Sequence, residues 1–138
     1  MIKGITAGAF DVMHPGYIKM FKEAREHCDY LLVALHDDPT VERPKKIKPL
    51  LTLEERKETL LALRYVDEIV TYNTEKELTF ILENSNADIR FLGNDYKGKT
   101  STRSHLEIPI YYVDRSHGWS ATKFKTLIYE QINGKNIL

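Results

Sequence analysis

Features that identify several classes of protein are scarce in this chain of 138 residues. It has a single cysteine, so no disulfide can form within it. Twenty lysine and arginine residues balance twenty aspartate and glutamate residues, and a nucleic-acid-binding protein would show a strong basic excess. No apolar run approaches the roughly 18 residues of a membrane-spanning helix. The sequence therefore predicts one cytoplasmic domain over residues 1–138 that binds neither nucleic acid nor membrane.

Short apolar runs alternate with amphipathic segments along the chain. Strands are predicted at 2–7, 30–35, 68–71, 88–92 and 108–113, and helices at 15–27, 53–64, 75–84 and from 121 onward. Strands that alternate with helices of this length predict an α/β fold with a parallel sheet. Right-handed crossovers then give a Rossmann-like, doubly wound, five-stranded parallel sheet with helices on both faces.

Helix starts are marked by short capping patterns. Thr52 with Glu55 and Thr74 with Glu77 form the capping-box pattern T-x-x-E, which predicts the N-termini of the second and third helices. Ser120 can cap the last helix. In doubly wound sheets the ligand crevice lies beyond the carboxyl ends of the strands. We call the segments expected there, 8–17, 36–48, 93–99 and 114–122, the rim.

The first rim segment leaves the first strand and enters the first helix. Gly8 and Gly16 lack a Cβ and would let the backbone approach a ligand closely. The helix N-terminus offers free N–H groups and a positive dipole end, which suit phosphate. His14 stands beside this predicted anion site, where it could donate to a phosphoryl oxygen or merely cap the helix. The residues alone leave both interpretations open.

Five segments, taken in order, resemble one known family. They read GAFDVMHPGYIK, AREHCDYLLVALHDD, TLEERKETLLALRYVDEI, DIRFLGNDYKGK and RSHGWSATK, with a lysine-rich loop between the second and the third. The first resembles the GTFDxxHxGH segment of the cytidylyltransferase-like nucleotidyltransferases, and the last resembles their R-x-x-G-x-S-x-T cluster. The likeness extends from about residue 2 to residue 125, and it is greatest to the glycerol-3-phosphate cytidylyltransferase branch.

The resemblance implies a reaction. The phosphate or phosphonate of a small-molecule acceptor, glycerol 3-phosphate being one candidate, attacks the α-phosphorus of CTP in line, and pyrophosphate leaves. Catalysis then consists of positioning and of neutralising charge on the phosphates. Mg²⁺ would bridge the triphosphate rather than occupy a protein cage. Family members are commonly homodimers, and we expect a homodimer here.

The resemblance also assigns residues to roles. The groups expected at the reacting phosphates are His14, Lys46, Arg115 and Tyr17. Nucleotide binding is expected of Gly8, Ala9, Phe10, Asp11, Gly16, Lys48, Arg64, Asn94, Asp95, Ser120 and Thr122. Acceptor binding is expected of Lys45, Lys76 and Asp38. Without the resemblance, a solvated surface loop stays an open alternative for the lysine cluster at residues 45–48.

Two arginines stay ambiguous at this point. Arg64 matches a family arginine near the nucleotide, but it could equally form a structural ion pair with Asp67 or Glu68. Arg56 has the same ambiguity.

Three positions depart from the family pattern. Tyr17 stands at the second family histidine, and tyrosine donates a hydrogen bond but carries no positive charge near neutral pH. Ala9 replaces the threonine of GTFD. Glu77, with Lys76 beside it, stands where the glycerol-phosphate enzymes carry a lysine for the acceptor. Either Lys76 takes over this role or the acceptor is not glycerol 3-phosphate, and the second interpretation is slightly favoured. Two alternatives follow: an adenylyltransferase of the same fold that uses ATP, and a nucleotide-binding or regulatory protein with weakened catalysis.

Residues 93–100 fit the P-loop pattern G-x-x-x-x-G-K-T. A P-loop must open a helix, yet the continuation TSTRSHLEIP has no helical apolar period. We therefore reject a P-loop and expect Lys97 and Lys99 at the edge of the site. In the last segment, Trp119 is either a packing residue or a lid, and His117 stands where the family often has an acidic residue.

Overall fold

The computed structural model describes residues 1–96 and 107–135. Its strands are β1 (Lys3–Gly8), β2 (Tyr30–His36), β3 (Glu68–Tyr72), β4 (Ile89–Gly93) and β5 (Ile110–Val113), and its helices are α1 (Pro15–Arg25), α2 (Leu53–Leu61), α3 (Glu75–Asn84) and α4 (Ala121–Gly134). The predicted order of strands and helices is confirmed. The largest difference in length is at α2, which ends three residues earlier than predicted.

All five strands run parallel, in the order β3-β2-β1-β4-β5. The chain first moves outward from β1 to β3, then returns to add β4 and β5 on the other side of β1. This arrangement confirms the predicted Rossmann-like, doubly wound sheet. The direction of winding reverses between β1 and β4, and a ligand crevice is expected outside the carboxyl ends of those strands.

Strand β2 is apolar along its length because helices cover both faces of the sheet. Its residues Leu31, Val33 and Leu35 pack with α1 and α2 on one face. The intervening Leu32 and Ala34 pack with α3 on the other face. Successive side chains of a strand point to opposite faces, so one short segment contributes to both cores and fixes the centre of the sheet.

Both predicted capping boxes are present. Thr52 accepts a hydrogen bond from the Glu55 backbone N–H, and the Glu55 carboxylate accepts one from the Thr52 N–H. Thr74 and Glu77 make the same pair at α3. Ser120 caps α4 by accepting from the Lys123 N–H over 3.0 Å. The Glu77 carboxylate is therefore committed to the start of α3.

Helix α4 lies on the outside of the domain. None of its residues is buried, and it is held through Lys125, whose ammonium group bonds the Asp11 carboxylate. Among the helices of the described part of the chain, none combines the length and apolar character needed to cross a bilayer.

Candidate active site

The imidazole of His14 has two nitrogens in different situations. Its Nδ1 accepts a hydrogen bond from the Gly16 N–H over 3.1 Å and so caps α1. An accepting Nδ1 puts the proton of the neutral ring on Nε2. That Nε2 is buried and has no hydrogen-bond partner among the described residues. The two interpretations of His14 are therefore compatible: one nitrogen caps the helix while the other is available as a donor.

The backbone at the start of α1 differs from the prediction. Pro15 has no N–H, the Gly16 N–H bonds His14 Nδ1, and the Tyr17 and Ile18 N–H groups both donate to the His14 carbonyl. The expectation of free N–H groups in this turn is wrong because the His14 side chain and carbonyl already occupy them. The donor that remains for an anion is the His14 Nε2–H.

Glycine is needed at position 16 for a reason that the sequence did not predict. A Cβ built there would lie 2.7 Å from the Cβ of Trp119 and 2.9 Å from the Cε1 atoms of His117 and His14. The protein's own side chains fill the space that was predicted for a ligand. At Gly8, similarly, the nearest atoms belong to the Phe10 ring, at 3.1 Å. Contacts of a nucleotide with these backbones stay a prediction.

Substituting Gly16 with alanine should force these three side chains apart. Overpacking of this kind costs about 1 to 3 kcal/mol, which urea unfolding would measure. Gly134, with nothing within 4 Å of a built Cβ, is the matched control, and alanine there should leave the free energy of unfolding unchanged or raise it by about 1 kcal/mol. Equal stability of the two variants would contradict the packing derived for Gly16.

Tyr17 supports the His14 ring. The two ring centroids lie 3.9 Å apart with planes tilted by 31°, and the Tyr17 and Phe10 rings pack edge to face with centroids 5.1 Å apart. Burial raises the pKa of the Tyr17 hydroxyl above its usual value, so the group stays neutral. A contact between this hydroxyl and a phosphate stays a prediction.

The loop between β1 and α1 turns its side chains inward. Phe10 is buried and its backbone has a φ of 44°, a left-handed conformation that is uncommon outside glycine. Asp11 Oδ2 accepts from the Leu50 N–H at 2.7 Å, and its Oδ1 accepts from the Leu51 N–H at 2.9 Å. The nucleotide contacts of Ala9, Phe10 and Asp11 stay a prediction, and the loop is fixed by the burial of Phe10 and the hydrogen bonds of Asp11.

The Asp11 carboxylate also receives the Lys125 ammonium group. Burial raises the pKa of Asp11, but the hydrogen bonds from Lys125, Leu50 and Leu51 outweigh it and hold that pKa below its usual value. The residue is therefore ionised at neutral pH and joins the β1 loop to α4.

Arg115 follows β5 and stands beside His14. Its Nη2 donates to the Trp119 carbonyl over 3.3 Å, and its Cγ lies 3.1 Å from where a Cβ of Gly93 would be. The side chain is half-buried. Arg115 and His117 both oppose protonation of His14, so this end of the sheet is electropositive.

Other predicted nucleotide contacts lie close to Arg115 along the chain. Asn94 and Asp95 are exposed in a 3₁₀ turn directly after β4. Ser120 caps α4, and Thr122 is exposed in the first turn of that helix. The structure thus brings these residues to the carboxyl ends of β4 and β5. The predicted positions of Lys97 and Lys99 lie outside the described residues.

The segment that carries the lysine cluster, residues 45–48, borders a second feature of the rim. A cleft of about 410 Å³ lies between this segment and α2, and Asp38, Lys48, Asn73 and Arg56 are among its lining residues. Asp38 accepts from the Thr40 hydroxyl at 2.6 Å and the Thr40 N–H at 3.0 Å. These bonds, the hydroxyl first, lower the pKa of Asp38.

The remaining lysines, Lys45, Lys46 and Lys76, are exposed and do not line this cleft. Lys45 and Lys46 lie in the same irregular segment as Lys48, and Lys76 lies in the first turn of α3. An ion pair of 3.0 Å between Arg43 and Glu75 ties the segment to the start of α3. The three predicted acceptor contacts therefore lie on one side of the rim.

Arg64 lies away from the rim. It is exposed in the turn that precedes β3, at the amino edge of the sheet. The two predicted ion-pair partners are engaged elsewhere, because Asp67 pairs with Arg25 at 2.8 Å and Glu68 accepts from the Tyr30 hydroxyl at 2.7 Å. The fold therefore puts Arg64 at the opposite edge of the sheet from His14 and Arg115, which follow the carboxyl ends of their strands.

Arg56 has a structural role that sequence reasoning left open. It is 2% exposed, and its guanidinium donates to the carbonyls of Ala9, His36, Asp37 and Leu51 at 2.6 to 3.1 Å. It thereby joins the carboxyl ends of β1 and β2 to the start of α2. The available signal was its position three residues after Leu53 and four before Leu60, on the apolar face of α2.

Trp119 packs over the start of α1. Its ring lies 6.4 Å from the His14 ring and 6.1 Å from the Phe124 ring, and the Lys123 ammonium group lies 5.2 Å from its centroid. These contacts support the interpretation of Trp119 as a packing residue. A lid role for Trp119 stays a prediction.

The titration of His14 should appear in the stability of the protein. Burial, followed by the charges of Arg115 and His117, lowers the pKa of His14 from 6.5 to about 4. The unfolded chain therefore binds a proton at higher pH than the folded one, so this stability is present above pH 6.5 and is lost as pH falls toward 4. The shift corresponds to about 3 kcal/mol.

Urea unfolding between pH 7 and 4 would measure that loss. His14→Asn removes the titrating ring and keeps a capping oxygen, so its stability should fall less over the same interval. Parallel curves for the two proteins would contradict a buried neutral His14.

Comparisons with known proteins agree with the fold. The family model described as cytidylyltransferase-like matches residues 5–132. Glycerol-3-phosphate cytidylyltransferase of Bacillus subtilis is 36% identical over 91% of this chain and 95% of its own. FAD synthase of Thermococcus sibiricus is 39% identical over 68% of this chain and 64% of its own.

Other relatives are longer or more distant. The bifunctional protein HldE of Hyphomonas neptunium is 38% identical over 67% of this chain, and the matched region is 19% of that protein. The solved lipopolysaccharide core biosynthesis protein of Thermoplasma volcanium superposes with a TM-score of 0.65 at 25% identity, over 82% of this chain and 96% of that one. The chain thus spans about a fifth of one relative and nearly all of another.

Proposed function

Since this chain belongs to the cytidylyltransferase-like family of nucleotidyltransferases, we propose that it transfers the cytidylyl group of CTP to a phosphorylated or phosphonate small molecule and releases pyrophosphate. The observation that carries the proposal is the buried, unpartnered Nε2 of His14 beside the Arg115 guanidinium. A fixed donor and a cation at the carboxyl ends of parallel strands suit the oxygens of a triphosphate.

The proposed reaction is a single displacement. An oxygen of the acceptor phosphate attacks the α-phosphorus of CTP, a new P–O bond forms, and the bond from that phosphorus to the bridging oxygen breaks. Pyrophosphate takes the electron pair, and nothing is oxidised or reduced. His14 is neutral at pH 7 because of its lowered pKa. It therefore acts as a hydrogen-bond donor to developing negative charge, while Arg115 supplies positive charge.

The cleft beside Lys48 and Asp38 supports a place for the acceptor. A phosphorylated polyol needs cations for its phosphate and acceptors for its hydroxyl groups. Lys45 and Lys76 would supply cations to the acceptor phosphate, Lys48 in the lining would reach the nucleotide, and the ionised Asp38 supplies an acceptor. Since the Glu77 carboxylate caps α3, the cation on that helix is Lys76. The proposal also includes Lys46, which would contact the triphosphate.

Two further parts of the proposal concern the metal ion and the oligomeric state. Mg²⁺ would enter with the triphosphate and neutralise its oxygens, since the His14 and Arg115 donors complement phosphate rather than a cation. The homodimer expected from the sequence also stays a prediction, which the molar mass from light scattering would test.

A second candidate is adenylyl transfer from ATP, favoured by the likeness to the FAD synthase of Thermococcus sibiricus. A larger rise in melting temperature with CTP than with ATP would support the cytidylyltransferase, and the reverse would support the second candidate. Pyrophosphate release with a panel of phosphorylated acceptors, glycerol 3-phosphate included, would then identify the acceptor. Binding of CTP without release with any acceptor would instead indicate a nucleotide-binding protein with weakened catalysis.

A further inference from the structure

His117 lies in the loop that joins β5 to α4, and its ring is held in one orientation. Its Nδ1 accepts from the Trp119 N–H over 3.0 Å. The loop is fixed by the Gly118 N–H, which donates to the Arg115 carbonyl at 3.1 Å, and by the left-handed φ of 73° at Gly118. Because Nδ1 accepts, the proton of the neutral ring is on Nε2.

The Nε2 atom of His117 is buried and lacks a hydrogen-bond partner within residues 1–96 and 107–135. A buried donor without an acceptor costs about 1 to 3 kcal/mol. The same situation holds at His14 Nε2. Two such atoms in one site indicate a ligand that supplies acceptors to both.

The His14 and His117 rings both lie next to Gly16. A Cβ built on Gly16 would lie 2.9 Å from the Cε1 atom of each ring. Arg115 opposes protonation of His14, so a positive charge is close to the pair. That charge opposes a metal cation and favours an anion. The ligand therefore carries several oxygens that accept hydrogen bonds, as a polyphosphate does.

We propose that His117 is a second phosphate-binding imidazole of the site, and that its Nε2–H and that of His14 donate to the same polyphosphate chain on either side of Gly16. The inference rests on the proposed function for the identity of the natural ligand, CTP. The binding geometry itself concerns only the phosphate chain. His117 would touch the nucleotide directly, and it was not among the residues assigned to the site from the sequence.

Calorimetry with inorganic tripolyphosphate, without added Mg²⁺ and at low salt, tests the proposal. This probe has no base and no acceptor group, so its binding does not depend on whether CTP is the substrate. His117→Asn keeps an oxygen for the Trp119 N–H and loses the donor, and its affinity should fall by about 10- to 100-fold, the equivalent of one hydrogen bond to a charged group. His117→Gln carries an amide N–H near the position of Nε2 and should retain more affinity.

His27→Asn makes the same chemical change at an exposed position near the amino edge of the sheet, and its affinity should equal that of the unsubstituted protein. Wild-type affinity in His117→Asn would overturn the proposal, as would a failure of the unsubstituted protein to bind tripolyphosphate. A loss in His117→Asn that His117→Gln does not recover, with a matching fall in melting temperature, would also overturn it in favour of a structural role. If tripolyphosphate binding follows the prediction but no transfer from CTP is found, the polyphosphate site stands and the proposed function fails.

Discussion

Replacing His14 with asparagine is expected to lower the rate of nucleotidyl transfer by about 100- to 1,000-fold, as removal of one preorganised donor to a developing oxyanion does elsewhere. Asparagine places an oxygen where Nδ1 accepts the Gly16 N–H, so the cap of α1 is kept. The asparagine side chain is too short to place an N–H donor at the position of the buried His14 Nε2. The free energy of unfolding at pH 7 should therefore change by no more than about 1 kcal/mol.

Pyrophosphate release at saturating CTP and acceptor would measure the rate, and urea unfolding would measure the stability. His14→Ala is the control, because it loses the donor and the cap together. Its rate should match that of His14→Asn, and its stability should be lower by about 1 kcal/mol. A fully active His14→Asn protein would mean that His14 only caps the helix.

Replacing Arg56 with methionine is expected to destabilise the protein by at least about 3 kcal/mol, because its guanidinium makes four hydrogen bonds and each bond to a charged group contributes about 1.5 to 3 kcal/mol. Methionine fills similar volume but donates no hydrogen bond. The carbonyls of Ala9, His36, Asp37 and Leu51 then lose a shared donor that is 2% exposed. The ends of β1 and β2 carry the rim, so the variant should also bind CTP more weakly.

The free energy of unfolding in urea would test this expectation. Arg43→Met is the matched control, because Arg43 pairs with Glu75 through a side chain that is 57% exposed. Surface ion pairs contribute about 0 to 1 kcal/mol, so this variant should remain close to the unsubstituted protein. If both variants lose the same free energy, Arg56 does not anchor the strand ends.

Local patterns in the sequence were sufficient for much of the fold. Apolar periodicity predicted the order of strands and helices, and the capping boxes at Thr52 and Thr74 are present as predicted. These features depend on residues a few positions apart. The sequence predicted that α2 continues to about Arg64, because helix-forming residues follow Leu61. The helix ends at Leu61, directly after Leu60, its last buried residue.

The site was harder to predict because it depends on contacts between distant segments. The sequence could place His14 beside a helix start, but not the approach of Trp119 that makes Gly16 necessary. Arg64 matched a family motif, yet strand polarity puts it at the amino edge of the sheet. The donor at His117 could not be predicted, since its orientation depends on one backbone hydrogen bond.

The carboxylate of Asp11 has a consequence for how the chain folds. It contacts Leu50, Leu51 and Lys125, the last of which is 114 positions further along the chain. Closing so long a loop is entropically costly, and such contacts form only once other structure has brought the ends together. A shortened chain without α4 would leave this buried anion without its counter-ion, so the opening loop can reach its final form only after nearly the whole polypeptide is available.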